Sequence, residues 1–216
     1  MIGSVWNRWD LHIHTPASFQ HDFKLGESLS EEEYSQRLWD EYIDTLESEL
    51  DVPAVGITDY FSIEGYKKVL EYRQNDRLKN FELILPNIEF RTDIVITKEG
   101  EKTESPNFHL IFSDDIPPEQ IEKNFLERLS ITLPNNEKRP LCRASLEELG
   151  QMLKQHEASF RKHSDYFVGC MNTKVNVGEI EKVLSEAESI FGGKYLKVLD
   201  PEGFNGKDWK SQAHNP

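Results

Sequence analysis

Short apolar runs alternate with longer amphipathic stretches along this chain, and that alternation restricts its fold more than any other feature. The first extended run reads from Val5 to Ile13. Ser30-Glu31-Glu32-Glu33 has capping-box spacing, in which hydroxyl and carboxylate each accept an orphan backbone N–H. It opens a helix with Tyr34, Leu38, Tyr42, Ile43, Leu46 and Leu50 on one stripe, and the acidic run suits the positive end of the helix dipole. After Pro53, Ala54 to Thr58 reads as a buried strand ending at Asp59, followed by a helix from Ile63 to Asn75. Phe81 to Leu85 is a strand leading to Pro86-Asn87-Ile88-Glu89. Phe90 to Thr97 and Asn107 to Phe112 are strand-like, with Glu99-Gly100-Glu101 as a hairpin tip between them. Pro117 to Leu129 reads as helix, residues around Pro134-Asn135-Asn136 as a loop, and Ser145-Leu146-Glu147-Glu148 as a second capping box, opening a helix with Leu146, Leu149, Met152 and Leu153. Tyr166 to Met171 is strand-like, Val177 to Phe191 helical and closed by Gly192-Gly193, and Tyr195 to Leu199 a last strand. Strands alternating with helices predict an α/β fold with a mainly parallel sheet or barrel and a site at the strand C-terminal ends.

The length of 216 residues fits one sizeable domain. No apolar run approaches the roughly 20 residues that cross a bilayer, and Met1 to Trp6 lacks the basic start and apolar core of a signal peptide. The expectation is a cytoplasmic protein with no membrane partner. Cys142 and Cys170 form neither a paired-cysteine zinc motif nor a disulfide framework and read as ordinary thiols. A formal charge of −14 argues against free-standing, tight nucleic-acid binding, which draws on phosphate neutralisation. It does not argue against a nuclease whose metal ions supply local positive charge.

Ligand-type residues collect at the predicted strand ends. His12 and His14 end the first strand, Asp59 the second, Glu89 follows the third, and His109 lies within a later one. Two histidines two apart on a strand share a face, and converging imidazoles chelate zinc, manganese or iron. Asp10 falls on that face by the same alternation, in a supporting role. Set among Phe108, Leu110, Ile111 and Phe112, His109 alone would read as a core histidine. His156 and His163 read as surface residues, Arg91, Arg143 and Lys174 as solvated charges, and Glu64 and Glu71 as helix-surface charges. Trp6 and Trp9 read as anchors of the first strand against an outer helix, ahead of a base-stacking role.

Asp10-Leu11-His12-Ile13-His14-Thr15-Pro16-Ala17-Ser18, with His21 after it, resembles the first motif of the PHP (polymerase and histidinol phosphatase) family. Gly56-Ile57-Thr58-Asp59 resembles the second motif, Asn87-Ile88-Glu89 the strand-end glutamate that bridges two metals, and Asn107-Phe108-His109-Leu110 the third-motif histidine. The resemblance covers residues 5 to 112. It implies a distorted (β/α)7 PHP barrel over residues 1–216 that lacks its last elements. Two departures stand out: Tyr60 occupies the place of a family histidine that serves a third metal, and the family's closing Asp-x-His is absent from the second half. The expectation is the front part of a longer polypeptide, with the final barrel elements beyond residue 216. The family also sometimes places a ligand near Cys170 or Asn172.

The resemblance implies a hydrolase with two or three divalent transition-metal ions (manganese, zinc or iron) held by His12, His14, Asp59, Glu89, His109 and His21. Glu89 and Asp59 would be the catalytic carboxylates, with water activated for in-line attack on a phosphoester. The opening motif looks most like PHP domains ahead of SMC-like ATPases in large bacterial proteins linked to antiviral defence or DNA repair. That implies a DNA substrate, an ATPase in the same chain or a partner subunit, and room for a homo-oligomer. The alternatives are a small-molecule phosphomonoesterase of histidinol phosphatase type and a decayed domain kept for protein interaction.

Overall fold

The computed structural model describes residues 7–19, 25, 30–94 and 106–199. A sheet of five strands carries the fold: β1 (Trp9–His14), β2 (Ala54–Tyr60), β3 (Leu83–Arg91), β4 (Asn107–Phe112) and β7 (Tyr195–Leu199), in that spatial order. β1, β2 and β3 are parallel, while β4 runs antiparallel to both β3 and β7. A short hairpin of β5 (Ser130–Thr132) and β6 (Lys138–Pro140) forms a second sheet. Seven helices accompany them among the described residues: α1 (Glu31–Glu49), α2 (Glu64–Gln74), α3 (Pro118–Asn124), α4 (Arg143–His156), α5 (Asp165–Asn172), α6 (Val177–Glu186) and α7 (Glu188–Phe191). The α/β class holds. No closed barrel is found among the described residues, whose strands form an open mixed sheet with β1 and β7 at its edges. Its one reversed strand is β4, which lies antiparallel to both of its neighbours.

Local chemistry explains the elements that matter for the site. Ser30 caps α1 with both arms of the capping box formed, and the helix buries Trp39, Tyr42, Ile43 and Leu46. β2 is buried at every position, as a strand flanked on both sides must be, and so reads as a nearly continuous apolar run. Alternation then sorts the sheet's residues. Val55, Ile57, Ile88, Phe90, Phe108, Leu110 and Phe112 join the main core with α1, α2 and α3. The opposite face carries the polar residues described below.

Two readings of the second half change, one there is refined, and one of the first half falls. Tyr166 to Met171, expected as a strand, lies in α5, capped by Ser164, whose side chain accepts the Phe167 N–H. A six-residue apolar run cannot distinguish a strand from a buried helix by period, and here α4 and α5 pack closely at two glycines. A methyl group on Gly150 would overlap the Asp165 carbonyl, and one on Gly169 the Leu146 carbonyl. α4 begins at Arg143 rather than at a Ser145 box, and Ser145 is buried with its hydroxyl 3.3 Å from Cys142 Sγ. The Pro134 loop is the turn of the β5–β6 hairpin. Trp9 is 55% exposed and so does not anchor β1 against a helix; Trp6 and the Glu99–Glu101 tip lie outside the described residues.

Candidate metal centre

β1 delivers its histidines through an irregularity. Asp10 pairs with Val55 and Ile13 with Ile57, so Leu11 and His12 together oppose Gly56 alone, a bulge of the kind that re-aims side chains. Gly56 makes the bulge feasible, because a methyl there would collide with the Leu11 carbonyl. That carbonyl accepts the Asn87 amide at 2.8 Å, which fixes the backbone beside His12. The bulge also removes Asp10 from the register of His14, which pairs with Thr58. The Asp10 carboxylate accepts the His12 N–H at 3.3 Å instead of sharing the imidazole face. Gly56→Ala is therefore expected to shift the segment carrying His12, to cost about 1–3 kcal/mol through overpacking, and to weaken metal binding. Thermal unfolding paired with metal titration checks both effects.

Three donor groups converge. Nε2 of His12 and Nε2 of His14 each lie 3.2 Å from Oε2 of Glu89, and 3.2 Å from each other. These three residues form the group whose ligand atoms lie within 4.8 Å of one another. Glu89 lies within β3 rather than after it and is 1% exposed. Burial pushes its carboxyl up, but hydrogen bonds from His12 and His14, the charge of His109 and a bond from Tyr60 outweigh burial and hold it well below the usual range. Ser18 Oγ lies 3.3 Å from His14 Nδ1, leaving Nε2 for the cluster.

His109 stands beside this group. Strand β4 pairs it with Glu89, and its Nε2 is 4.0 Å from Glu89 Oε1. Its ring meets that of His12 edge-on at 4.5 Å, and its Nδ1 lies 3.3 Å from Asn87 Nδ2.

Asp59 is placed elsewhere. Thr58 and Tyr60 share the face of Asn87 and Glu89, so the residue between them points to the core face with Ile88. Its carboxylate accepts the Thr15 hydroxyl at 2.7 Å and the Gly65 N–H at 2.9 Å, fastening the turn after β1 to the start of α2. Burial pushes this carboxyl up to about 7 against those two bonds. The folded protein thus holds the Asp59 proton more tightly than the unfolded chain between about pH 4 and pH 7, so this group's contribution to stability falls as pH rises through that window and is level above it. Asp59→Asn lacks that slope. Relative to the variant, the wild type is expected to lose on the order of a few kcal/mol between those limits. Unfolding midpoints of both proteins at pH 5 and pH 8 test this; an unchanged difference would refute it.

His21 lies outside the described residues. Cys170 is fully buried in α5, where burial pushes its thiol up to about 12 and Tyr166 bonds it. Asn172 donates to the Val168 carbonyl. Arg143 stacks on Tyr166 at 4.2 Å and pairs with Glu64 and Glu147, so it belongs to the α4–α5 surface.

Comparison with protein-family models, curated proteins and solved structures gives no match. The site's own geometry carries the argument. Four residues that the sequence reading did not count among the site residues belong to that geometry. Asn87 Nδ2 donates to Thr58 Oγ1 at 2.9 Å as well as to Leu11. Asn107 Nδ2 donates to Glu89 Oε1 at 2.6 Å and to the Tyr60 hydroxyl at 3.2 Å. The Tyr60 ring stacks on His14 at 5.3 Å. Arg91, two residues beyond Glu89 on the same face, donates to the Met171 carbonyl, and its charge acts on the Tyr60 hydroxyl. The signal was present for three of them: Asn87-x-Glu89, Asn107-x-His109 and Glu89-x-Arg91 are the two-residue spacings of a shared strand face.

Proposed function

We propose that this chain is a metal-dependent phosphoesterase domain that hydrolyses nucleic acid, with DNA as the leading substrate. The observation that carries the reading is the convergence of His12 Nε2, His14 Nε2 and Glu89 Oε2 at mutual distances of 3.2 Å. Two imidazole nitrogens and a carboxylate oxygen suit zinc, manganese or iron. A divalent ion held there supplies Lewis acidity for phosphoryl oxygens and for water. The protein's part is to keep Glu89 ionised, to keep the Tyr60 hydroxyl protonated (burial, then Glu89, pushes it up), and to hold Arg91 as a positive group beside the site. With the resemblance of the opening motif, the reading extends to the nuclease part of an ATP-driven bacterial defence or repair protein in the cytoplasm. A formal charge of −14 is also compatible with a second reading, a small phosphomonoester substrate, which needs no extended basic surface.

The test is hydrolysis by the manganese- or zinc-loaded protein of single- and double-stranded DNA, RNA and p-nitrophenyl phosphate, with chelator controls. Chelator-sensitive DNA cleavage supports the leading reading, and activity on the monoester alone supports the second. No hydrolysis of any of them by the metal-loaded protein would sink both and favour an interaction module. If Arg91 engages the phosphoryl group, Arg91→Ala is expected to raise KM by on the order of tenfold with kcat less affected, the pattern of lost substrate binding.

A further inference from the structure

The sequence resemblance implies a glutamate that gives one oxygen to each of two ions, and the hydrogen bonding of Glu89 contradicts that division. Its Oε2 faces both imidazoles at 3.2 Å. Its Oε1 accepts the Asn107 amide at 2.6 Å, within a carboxylate that the Tyr60 hydroxyl also bonds. The Asn107 amide is held in turn by Tyr60 at 3.2 Å, and Tyr60 is itself packed against His14 at 5.3 Å and Phe19 at 4.7 Å. Strand pairing makes the arrangement rigid: Tyr60 lies opposite Glu89 on β2, and Asn107 lies on β4 opposite Arg91. Among the described residues the further imidazole beside Glu89 is His109, 4.0 Å from the oxygen that accepts the Asn107 amide.

We propose that the centre takes a single divalent ion, bound by His12, His14 and one oxygen of Glu89, and that Asn107 is the positioning residue that reserves the other oxygen. This rests on the metal-binding reading above and departs from its two- or three-ion form. An amide donor at 2.6 Å takes one lone pair of Oε1 and fixes the carboxylate's orientation, and among the described residues the donor atoms that converge within 4.8 Å are those of His12, His14 and Glu89, enough for one ion. Outer partners of this kind set ligand orientation and typically change metal affinity about 10- to 100-fold.

Equilibrium dialysis of the 216-residue protein against zinc, and separately manganese, followed by elemental analysis, tests the stoichiometry. One tightly held ion per chain is expected. Two per chain would overturn this inference while leaving the metal centre intact, whereas none would sink the metal-binding reading itself. Asn107→Ala tests the positioning role, with thermal unfolding as the control for folding. The expected result is affinity lowered by about 10- to 100-fold. The cobalt(II)-substituted variant should also show weaker visible absorption, as Glu89, released from Asn107, closes on the ion with both oxygens and raises its coordination number. Wild-type affinity and an unchanged cobalt spectrum in a folded variant would overturn the role given to Asn107.

Discussion

A His12→Ala/His14→Ala variant is expected to bind no stoichiometric metal while keeping its fold. The two imidazoles supply two of the three converging donors, and Glu89 alone offers an ion a single carboxylate. Since even outer partners of a ligand are worth about 10- to 100-fold in affinity, loss of two direct donors should weaken binding by more than about 100-fold. The fold should survive because the side chains of His12 and His14 are 46% and 28% exposed and take no part in the main core. The loss also removes two of the groups that hold the buried Glu89 carboxyl ionised, so that carboxyl should rise toward its ordinary value. Elemental analysis with circular dichroism reads both outcomes. A folded variant that retains one ion per chain would show that the donors lie elsewhere.

The second large effect lies on the reverse side of the same sheet. Phe125 is fully buried between α3 and the 3-10 turn at Leu126–Arg128, and packs edge-on against Phe90 of β3 at 6.0 Å, Phe112 of β4 at 5.4 Å and Phe191 of α7 at 6.3 Å. Phe112 and Phe191 also meet at 5.2 Å, so Phe125 closes a ring of aromatic contacts. Phe125→Ala is expected to cost about 3–5 kcal/mol, from lost transfer energy and the cavity left behind. Against a total of roughly 5–15 kcal/mol for a domain, such a loss brings the protein near its unfolding threshold. Denaturant unfolding should show a lower midpoint at unchanged slope. A loss under about 1 kcal/mol would mean that the aromatic cluster relaxes to fill the space.

The two halves of the chain were legible to different degrees, for physical reasons. Where the signal was local chemistry, it survived: Ser30 and Glu33 form their box, Gly193 takes the left-handed conformation after α7, and β4 and β7 fall on the expected residues. Where the signal was a short apolar run, the tertiary partner decided. The stretch Tyr166 to Met171 is helical because Gly169 lets it lie against α4, a fact of packing that a single sequence does not carry. At the site, His12, His14 and Glu89 were found because ligand-type residues at strand ends converge on one rim. Asp59 looked equivalent because β2 was read as ending there. The strand in fact runs on to Tyr60, and one residue of alternation sends its carboxylate to Thr15 and Gly65. The return of β4 against β3 agrees with the hairpin read between Phe90 and Phe112, whereas the open edges of the sheet were not legible, since alternation of strands and helices suits an open sheet and a barrel alike.

The gradient of exposure across the cluster sets how an ion gets in and out. His12 and His14 face solvent, while Glu89 sits beneath them almost wholly enclosed. An ion taken up there would therefore meet the imidazole nitrogens before the carboxylate oxygen, and would leave in the reverse order. A chelator in solution can compete for the ion from the imidazole side without any strand parting. Loading and stripping should then proceed at rates set by ligand exchange, not by opening of the fold, and the protein should follow the free metal concentration around it.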